Sequence, residues 1–348
     1  MNSIKKFLIN MKRIVLRKIK YHFSFLVFAR LKQATPGNIQ VGQNDLLVIT
    51  GIRNEIKRIP FFLKYYRSKG VDKFFIIDNN SEDGTKEMLL SEKDVYLFTT
   101  DEPFSDSSCG LNWIQAILKK YCKNKWCLLL DADEFFVYPH CEEISIKDLC
   151  FFLENERKNA IKIMLLDMYA DGFPSIDRLE PLWEVFPYFD RDSHYLTDLC
   201  GKPAIFGGMR KRIFNTDVCL QKVPLIKYST WLKPKLGIHR VLNARLSQIE
   251  GVLLHFKFDS LFAKKAKEES QRKEHWNEAA EYKQYLERLD KEDNFTIYDP
   301  MYSVRYENSR QLIEMKFIKT SEQFEKHVAF CRKKSFKTKN IQEINLEL

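Results

Sequence analysis

The chain has 348 residues, 45% of them hydrophobic, which is enough for one large domain or two small ones and excludes disorder as its default state. Its 57 Lys and Arg against 47 Asp and Glu leave a net charge of +10, which suggests an anionic partner such as nucleic acid, anionic lipid or a phosphorylated substrate. The eight cysteines form no CxxC pair and the chain is too large to need a disulfide framework, so they read as reduced thiols of a cytosolic compartment.

Residues 1–44 contain no acid, and Ile4, Leu8, Met11, Val15 and Ile19 recur at helical steps. A basic amphipathic helix is predicted there, suited to an anionic membrane surface. The alternative is a helix packed on the protein body. Its longest uncharged stretch, Tyr21 to Ala29, is too short to span a bilayer. Thr35-Pro-Gly-Asn38 reads as a linker.

From Leu46 onward, short apolar runs alternate with helical patterns. Strands are predicted at Leu46–Ile49, Phe74–Ile77, Val95–Thr99 and Trp126–Leu130, and helices at Ile56–Lys69, after Ser81 or Asp83, and at Ser107–Tyr121. This β-α-β-α-β-α-β order with short joints predicts an α/β, doubly wound, mostly parallel sheet. Ligands of such sheets bind beyond the carboxyl ends of the strands. Asn54 and Glu55, Asp78 and Asn79, and Asp131 and Asp133 follow three of those ends and should share a crevice. The last pair belongs to Asp131-Ala-Asp133-Glu134, three carboxylates closing a buried strand. Such a group is costly without a positive partner and suits a divalent cation with the phosphates it bridges. The alternative is a solvated strand exit.

Further on, a helix is expected at Ser145–Lys158 and a strand at Ile161–Leu166. Asp167 to Pro203 is aromatic-rich without a period and reads as a functional loop region. Ala204 to Phe214 reads as a strand broken by Gly207-Gly208, with Arg210 and Arg212 on one face as phosphate contacts or as a solvated surface turn. His255 lies in the apolar run 251–258, a core histidine or a ligand. Asp259 to Asp290 is expected as one long charged helix, followed by a helical tail.

Together these pieces resemble bacterial glycosyltransferases of the family-two type with an Asp-x-Asp-Glu-Phe motif. The matching residues are Arg53-Asn-Glu55, Gly70-Val-Asp72, the stretch Asp78 to Thr85, Trp126 through Phe135, Gly207-Gly-x-Arg-x-Arg212 and His255. The resemblance covers residues 45–258 and implies a GT-A-type, Rossmann-like fold with helices on both faces. An N-terminal arm, 1–44, and a helical extension, 259–348, flank it. It implies an inverting hexosyltransferase chemistry: transfer from a nucleotide-sugar, UDP-sugar first among them, to a saccharide or lipid-linked acceptor, in surface polysaccharide or lipooligosaccharide assembly. The setting would be the cytoplasm, peripheral on the cytoplasmic face of the inner membrane. By the same likeness Asn54, Glu55, Asp78, Asn79, Asp131, Gly207, Gly208, Arg210 and Arg212 would bind the donor. Asp131, Asp133 and His255 would hold a divalent metal, Mn2+ or Mg2+. Where many members carry two consecutive Asp, this chain has Asp78-Asn79. Candidates for the base that takes the acceptor proton are Glu134, His239 and Asp171.

The alternative enzyme class is a metal-dependent nucleotidyl- or phosphotransferase. Gly51-Ile-Arg-Asn-Glu55 lacks the Gly- and Lys-rich phosphate loop such enzymes usually carry after the first strand. No aromatic-basic recognition motif supports nucleic acid as a partner.

Overall fold

A computed structural model describes residues 30–176, 180–192, 194–199, 201–291 and 296–346. Residues 1–29, most of the predicted basic arm, lie outside them. In chain order the first elements are β1 (Lys32–Gln33), β2 (Leu47–Ile52), α1 (Ile59–Ser68), β3 (Lys73–Asp78), α2 (Thr85–Leu90), β4 (Val95–Thr99), α3 (Leu111–Tyr121) and β5 (Trp126–Leu129). They continue with β6 (Glu134–Val137), α4 (Ile146–Asn155), β7 (Ala160–Asp167), α5 (Leu182–Val185), β8 (Tyr188–Asp190), β9 (His194–Asp198), β10 (Pro203–Gly207) and α6 (Gly208–Phe214). The last are β11 (Gln221–Lys227), β12 (Lys233–Lys235), β13 (Arg240–Leu242), β14 (Leu246–His255), α7 (Phe262–Arg272), α8 (Trp276–Leu289), β15 (Ser303–Arg305), α9 (Ser309–Glu314) and α10 (Glu322–Leu346).

Nine strands form the central sheet in the order β1-β4-β3-β2-β5-β11-β7-β14-β6. Six of them, β4, β3, β2, β5, β7 and β14, run the same way, while β1, β11 and β6 run against them. This is the expected α/β, mostly parallel sheet with helices on both faces, consistent with a Rossmann-like GT-A-type fold. Strand alternation divides the core between its two faces. Val48, Phe74, Ile76 and Leu128 meet α1 and α4 through Phe62 and Leu149. Leu47, Ile49, Phe75, Ile77 and Leu129 meet α3 through Trp113 and Ile117.

Local signals end several elements where the sequence predicts. Pro60 sits in the first turn of α1, where its missing N–H costs nothing, and Gly70, at φ 87°, follows its last turn. Ser145 caps α4 in a reciprocal capping box with Asp148. Elsewhere the structure corrects the expectation. The third helix starts at Leu111, because Ser108, Cys109 and Gly110 all have positive φ. Gly84 stands at the start of α2, where Asp83 Oδ1 accepts from the first helical N–H, Thr85, at 3.1 Å; Ser81 and Asp83 also accept from the backbone N–H groups of Asn54 and Ile56, tying the β3–α2 loop to the β2–α1 loop. The long charged helix is two, α7 and α8, separated by Lys273 in the left-handed region. Among the described residues no helix is long and apolar enough to cross a membrane.

Eight strands went unpredicted, among them β8 and β9 inside the expected loop region 167–203 and, in the central sheet beside the site, β6 and β11. β6 begins inside the acid motif at Glu134 and returns antiparallel to β14. β11 lies between β5 and β7 despite Pro224; its pairing with β7 shifts between Lys222 and Leu225, and that irregularity accommodates the proline.

Candidate active site

β7 and β14 are parallel neighbours that end together, with His255 opposite Asp167. β6 runs back along β14 with Glu134 opposite His255. Register alone therefore sets Asp167, His255 and Glu134 side by side at one edge of the sheet. The Asp131–Asp133 turn closes over them, held by Glu134 N–H donating to Asp131 O at 3.1 Å and Phe256 N–H donating to Asp133 O at 2.9 Å. From below, the Tyr66 hydroxyl of α1 donates to Glu134 O at 2.8 Å and accepts from Phe136 N–H at 3.0 Å.

His255 bridges two carboxylates. Its Nδ1 lies 2.7 Å from Asp167 Oδ1 and its Nε2 lies 3.3 Å from Asp133 Oδ2. Burial would lower the imidazole's proton affinity, but Asp133 and Asp167 more than reverse this and lift it to about 9. Burial likewise opposes the charge on Asp133, and the His255 imidazolium, with Arg58 and Lys265 behind it, holds that carboxyl far below the ordinary range. Behind Asp167 the network continues. Arg210 Nε donates to Asp167 Oδ2 at 2.8 Å, and Arg210 Nη1 to Glu281 Oε1 at 3.2 Å. Lys257 Nζ reaches Glu281 Oε1 at 3.4 Å and stands over the Tyr282 ring.

Asp131 and Glu134 belong to a neighbouring cluster centred on Lys222, a buried lysine of β11. Lys222 Nζ donates to Asp131 Oδ2 at 2.8 Å and to Glu134 Oε1, while Glu134 Oε2 accepts from Asp131 N–H at 3.1 Å. Glu134 is buried, and desolvation outweighs Lys222 to push its carboxyl up to about 7. The Asp131 side chain is 63% exposed and is the carboxylate of this cluster that faces outward. Asp131, Asp133 and His255 are thus close but divided between two clusters. Among the described residues no three His, Cys, Asp or Glu side chains converge as a ready ligand set.

At the ends of β2 and β3 the polar groups are mostly neutral. Asn54, at φ 54°, donates through its backbone to Ser81 Oγ and accepts from Glu82 N–H through its side chain. Buried Asn79 donates to Thr100 O at 3.2 Å and Glu102 O at 3.0 Å. Asp78 is 1% exposed; its Oδ1 accepts from Ser81 N–H at 2.8 Å, and its Oδ2 has no partner among the described residues. Glu55 is the exception, paired with Arg58 at 2.8 Å and with Lys265. Arg58 also binds Phe256 O and Asp259, which joins this side of the site to the exit of β14.

Other expectations need correction. Arg210 and Arg212 lie on α6, not on a strand, and their guanidinium groups face inward: Arg210 to Asp167 and Glu281, Arg212 to Asp190 at 2.7 Å. They brace the site from behind instead of forming an open phosphate clamp. Gly207 and Gly208 join β10 to α6 at φ 96° and 72°, and a Cβ on Gly208 would stand 3.1 Å from His194 Nε2. That close side-chain approach explains the second glycine. Asp171 is exposed and accepts from the Thr296 hydroxyl, with no contact to the acid turn. His239, at the turn of the β12–β13 hairpin, does approach it: Nδ1 lies 2.7 Å from Gln221 O, next to Lys222. Burial and then the Lys222 ammonium lower its proton affinity to about 4.

Sequence patterns missed Lys222, Asp167, Arg58, Lys265 and Glu281. Asp167 carried the signal used for Asp131, an acid directly after an apolar run. Lys265 and Glu281 show that α7 and α8, beyond the predicted catalytic body, contribute to the site. A separate hollow lined by His140, Glu142, Ser309, Glu325 and Arg332 lies beyond the other end of β6.

No protein-family model matches the chain. Over 100 residues it is 29% identical to a glycosyltransferase family 92 protein of Arabidopsis thaliana, an alignment spanning 28% of this chain and 17% of that one. Among solved structures, the crystal structure of 4-diphosphocytidyl-2C-methyl-D-erythritol synthase matches 52% of this chain and 74% of its own at 10% identity, with a TM-score of 0.28.

Proposed function

We propose that the protein is a glycosyltransferase that moves a sugar from a nucleotide-sugar, a UDP-sugar first among the donors, to a saccharide or lipid-linked acceptor. The observation that carries this reading is the placement, along one carboxyl edge of the sheet, of a buried Asp78 carboxylate oxygen with no partner among the described residues and of the Asp133–His255 pair. Asp78 Oδ2 suits an N–H or O–H of a nucleoside, and the acid turn suits the diphosphate end. The stretch of similarity to a glycosyltransferase supports the same class.

A divalent cation fits the second position if it takes the place of the proton on His255 Nε2. Asp133 Oδ2 and His255 Nε2 lie 3.3 Å apart, close to the roughly 3 Å between adjacent ligands whose metal bonds are about 2.1 Å long. Asp167 on Nδ1 is the carboxylate that often orients a ligating histidine. Mg2+ or Mn2+ bound through few protein groups takes its other ligands from phosphates and water, so two donors suffice. When bound, it would neutralise charge on the leaving diphosphate. Lys222 holds the exposed Asp131 carboxylate at the rim, and Arg58 holds the β2–α1 loop against the exit of β14.

For the base, Glu134 is enclosed and serves as the counter-ion of Lys222. His239 is half-buried. Its Nδ1 faces a carbonyl and so carries the proton, leaving Nε2 as the accepting nitrogen. His239 is therefore assigned the acceptor proton.

Thermal-shift screening of nucleotide-sugars with and without Mn2+, followed by product analysis, tests the reading, since a bound donor stabilises the fold by mass action. Release of a nucleoside diphosphate is expected; release of pyrophosphate would mark a nucleotidyltransferase instead. Asp133→Ala should reduce transfer at least about a hundredfold, as losses of charge stabilisation at a reacting centre do. Undiminished turnover of that variant in excess EDTA would overturn the metal assignment.

A further inference from the structure

From Val218 to Ile249 the chain has no Asp or Glu, yet it carries Lys222, Lys227, Lys233, Lys235, Arg240 and Arg245. This stretch folds into β11, the β12–β13 hairpin and the start of β14. The hairpin's register pairs Lys233 with Leu242 and Lys235 with Arg240, and cross-strand partners point to one face. Between them Pro234 pairs with Val241, and both are buried on the other face. The outer face is thus a mixed basic and apolar surface. Leu242 is 41% exposed, Leu236 at the turn 40%, and Trp231 just before β12 76%. Four of the eleven exposed large apolar side chains among the described residues fall between Trp231 and Leu246. The adjoining helix α3 is also free of acids, and its Lys119 is pushed below the usual lysine value by burial and then by the Lys233 ammonium.

We propose that this outer face of the β12–β13 hairpin docks on an anionic lipid bilayer, with Trp231, Leu236 and Leu242 entering the headgroup region and Lys233 and Lys235 meeting lipid phosphates. Basic residues close a surface of opposite charge, and an exposed Trp with leucines suits the boundary between headgroup and chain. The acid-free segment commits the face to an anion, and its exposed apolar side chains favour a bilayer over a free phosphate. The turn of this hairpin bears His239, so docking would set the rim of the site at the membrane. The inference concerns a surface and does not depend on the reaction proposed above.

The test is cosedimentation of the full chain with vesicles of phosphatidylcholine alone or with one third phosphatidylglycerol. Binding should require the anionic lipid and weaken with salt. At about fivefold per basic residue near the surface, Lys233→Gln/Lys235→Gln should bind about thirtyfold more weakly. Brominated lipid should quench the bound chain, and Trp231→Phe should remove most of that quenching while the chain still sediments with vesicles. Vesicle binding unchanged in the double variant would overturn the proposal. So would binding without quenching of Trp231, which would assign the contact to another segment such as residues 1–29, and so would no binding by the parent chain. If the double variant alters self-association but not vesicle binding, the face joins two copies and the proposal falls.

Discussion

The ends of β2 and β3 and the ends of β7 and β14 share one edge of the sheet but bury their acids in opposite ways. At β3, Asp78 keeps one oxygen without a partner among the described residues, in a setting of neutral hydrogen bonds. At β7 and β14, Asp133, Asp167 and Glu281 alternate with His255, Arg210 and Lys257, and the charges offset one another. A lone buried carboxylate oxygen lowers stability and is ready for a donor from outside. A compensated network is largely neutral to stability as a whole, but each member becomes costly once its partner is removed. The first arrangement is therefore suited to binding a ligand group directly, and the second to exchanging partners when a ligand arrives.

Arg210→Met breaks the compensated side. It leaves Asp167 with His255 alone and takes one cation from Glu281. Loss of one partner of a buried pair should cost about 3–5 kcal/mol, measured as a shift in the denaturation midpoint at constant slope. An unchanged midpoint would mean that water already screens the network.

Asp78→Asn probes the other side and should have the reverse profile. The substitution keeps size and an acceptor for Ser81 N–H while removing the buried charge, so stability should stay within about 1 kcal/mol of the parent. Nucleotide affinity should fall about tenfold to a hundredfold, the worth of one hydrogen bond to a charged group. Calorimetry with UDP and with the free sugar would separate the effects; equal losses for both would remove Asp78 from the nucleoside pocket.

The contrast also explains what could be read from the sequence. The β2–α1–β3–α2–β4–α3–β5 series was legible because each strand is a short apolar run bounded by turn or cap residues. Its polar groups follow their strands directly, so Asn54, Asp78, Asn79, Asp131 and Asp133 stood out. The compensated half is assembled from distant segments. Lys222 lies 91 positions from Asp131, and Arg210 43 from Asp167. No local period records such pairs. Lys222 was hidden further because Pro224 falls inside its strand, and the pairing irregularity that admits the proline appears only in three dimensions. Paired glycines likewise suggested a broken strand, where a helix begins at Gly208.

His239 stands at the border of the two arrangements, kept neutral by burial and by the Lys222 ammonium, and this makes its effect on stability the smallest and the most sharply dependent on pH. Its proton affinity falls from about 6.5 in an unfolded chain to about 4 in the fold. Between these values the unfolded chain binds more protons, so stability rises with pH. The contribution is complete above about pH 6.5 and is lost as pH falls through about 4. Because the ring is only half-buried, the expected span is about 1–3 kcal/mol. His239→Gln retains a donor for Gln221 O and cannot titrate. The stability difference between variant and parent should therefore be flat above pH 6.5 and should shift in favour of the variant as pH falls from there to about 4. Denaturation at several pH values measures this difference directly, and the background titration of the paired carboxylates cancels in it. A difference that does not change with pH would mean that His239 titrates as in the unfolded chain, outside the field of Lys222. Its assignment as the group that accepts the proton at the rim would then lose its structural basis.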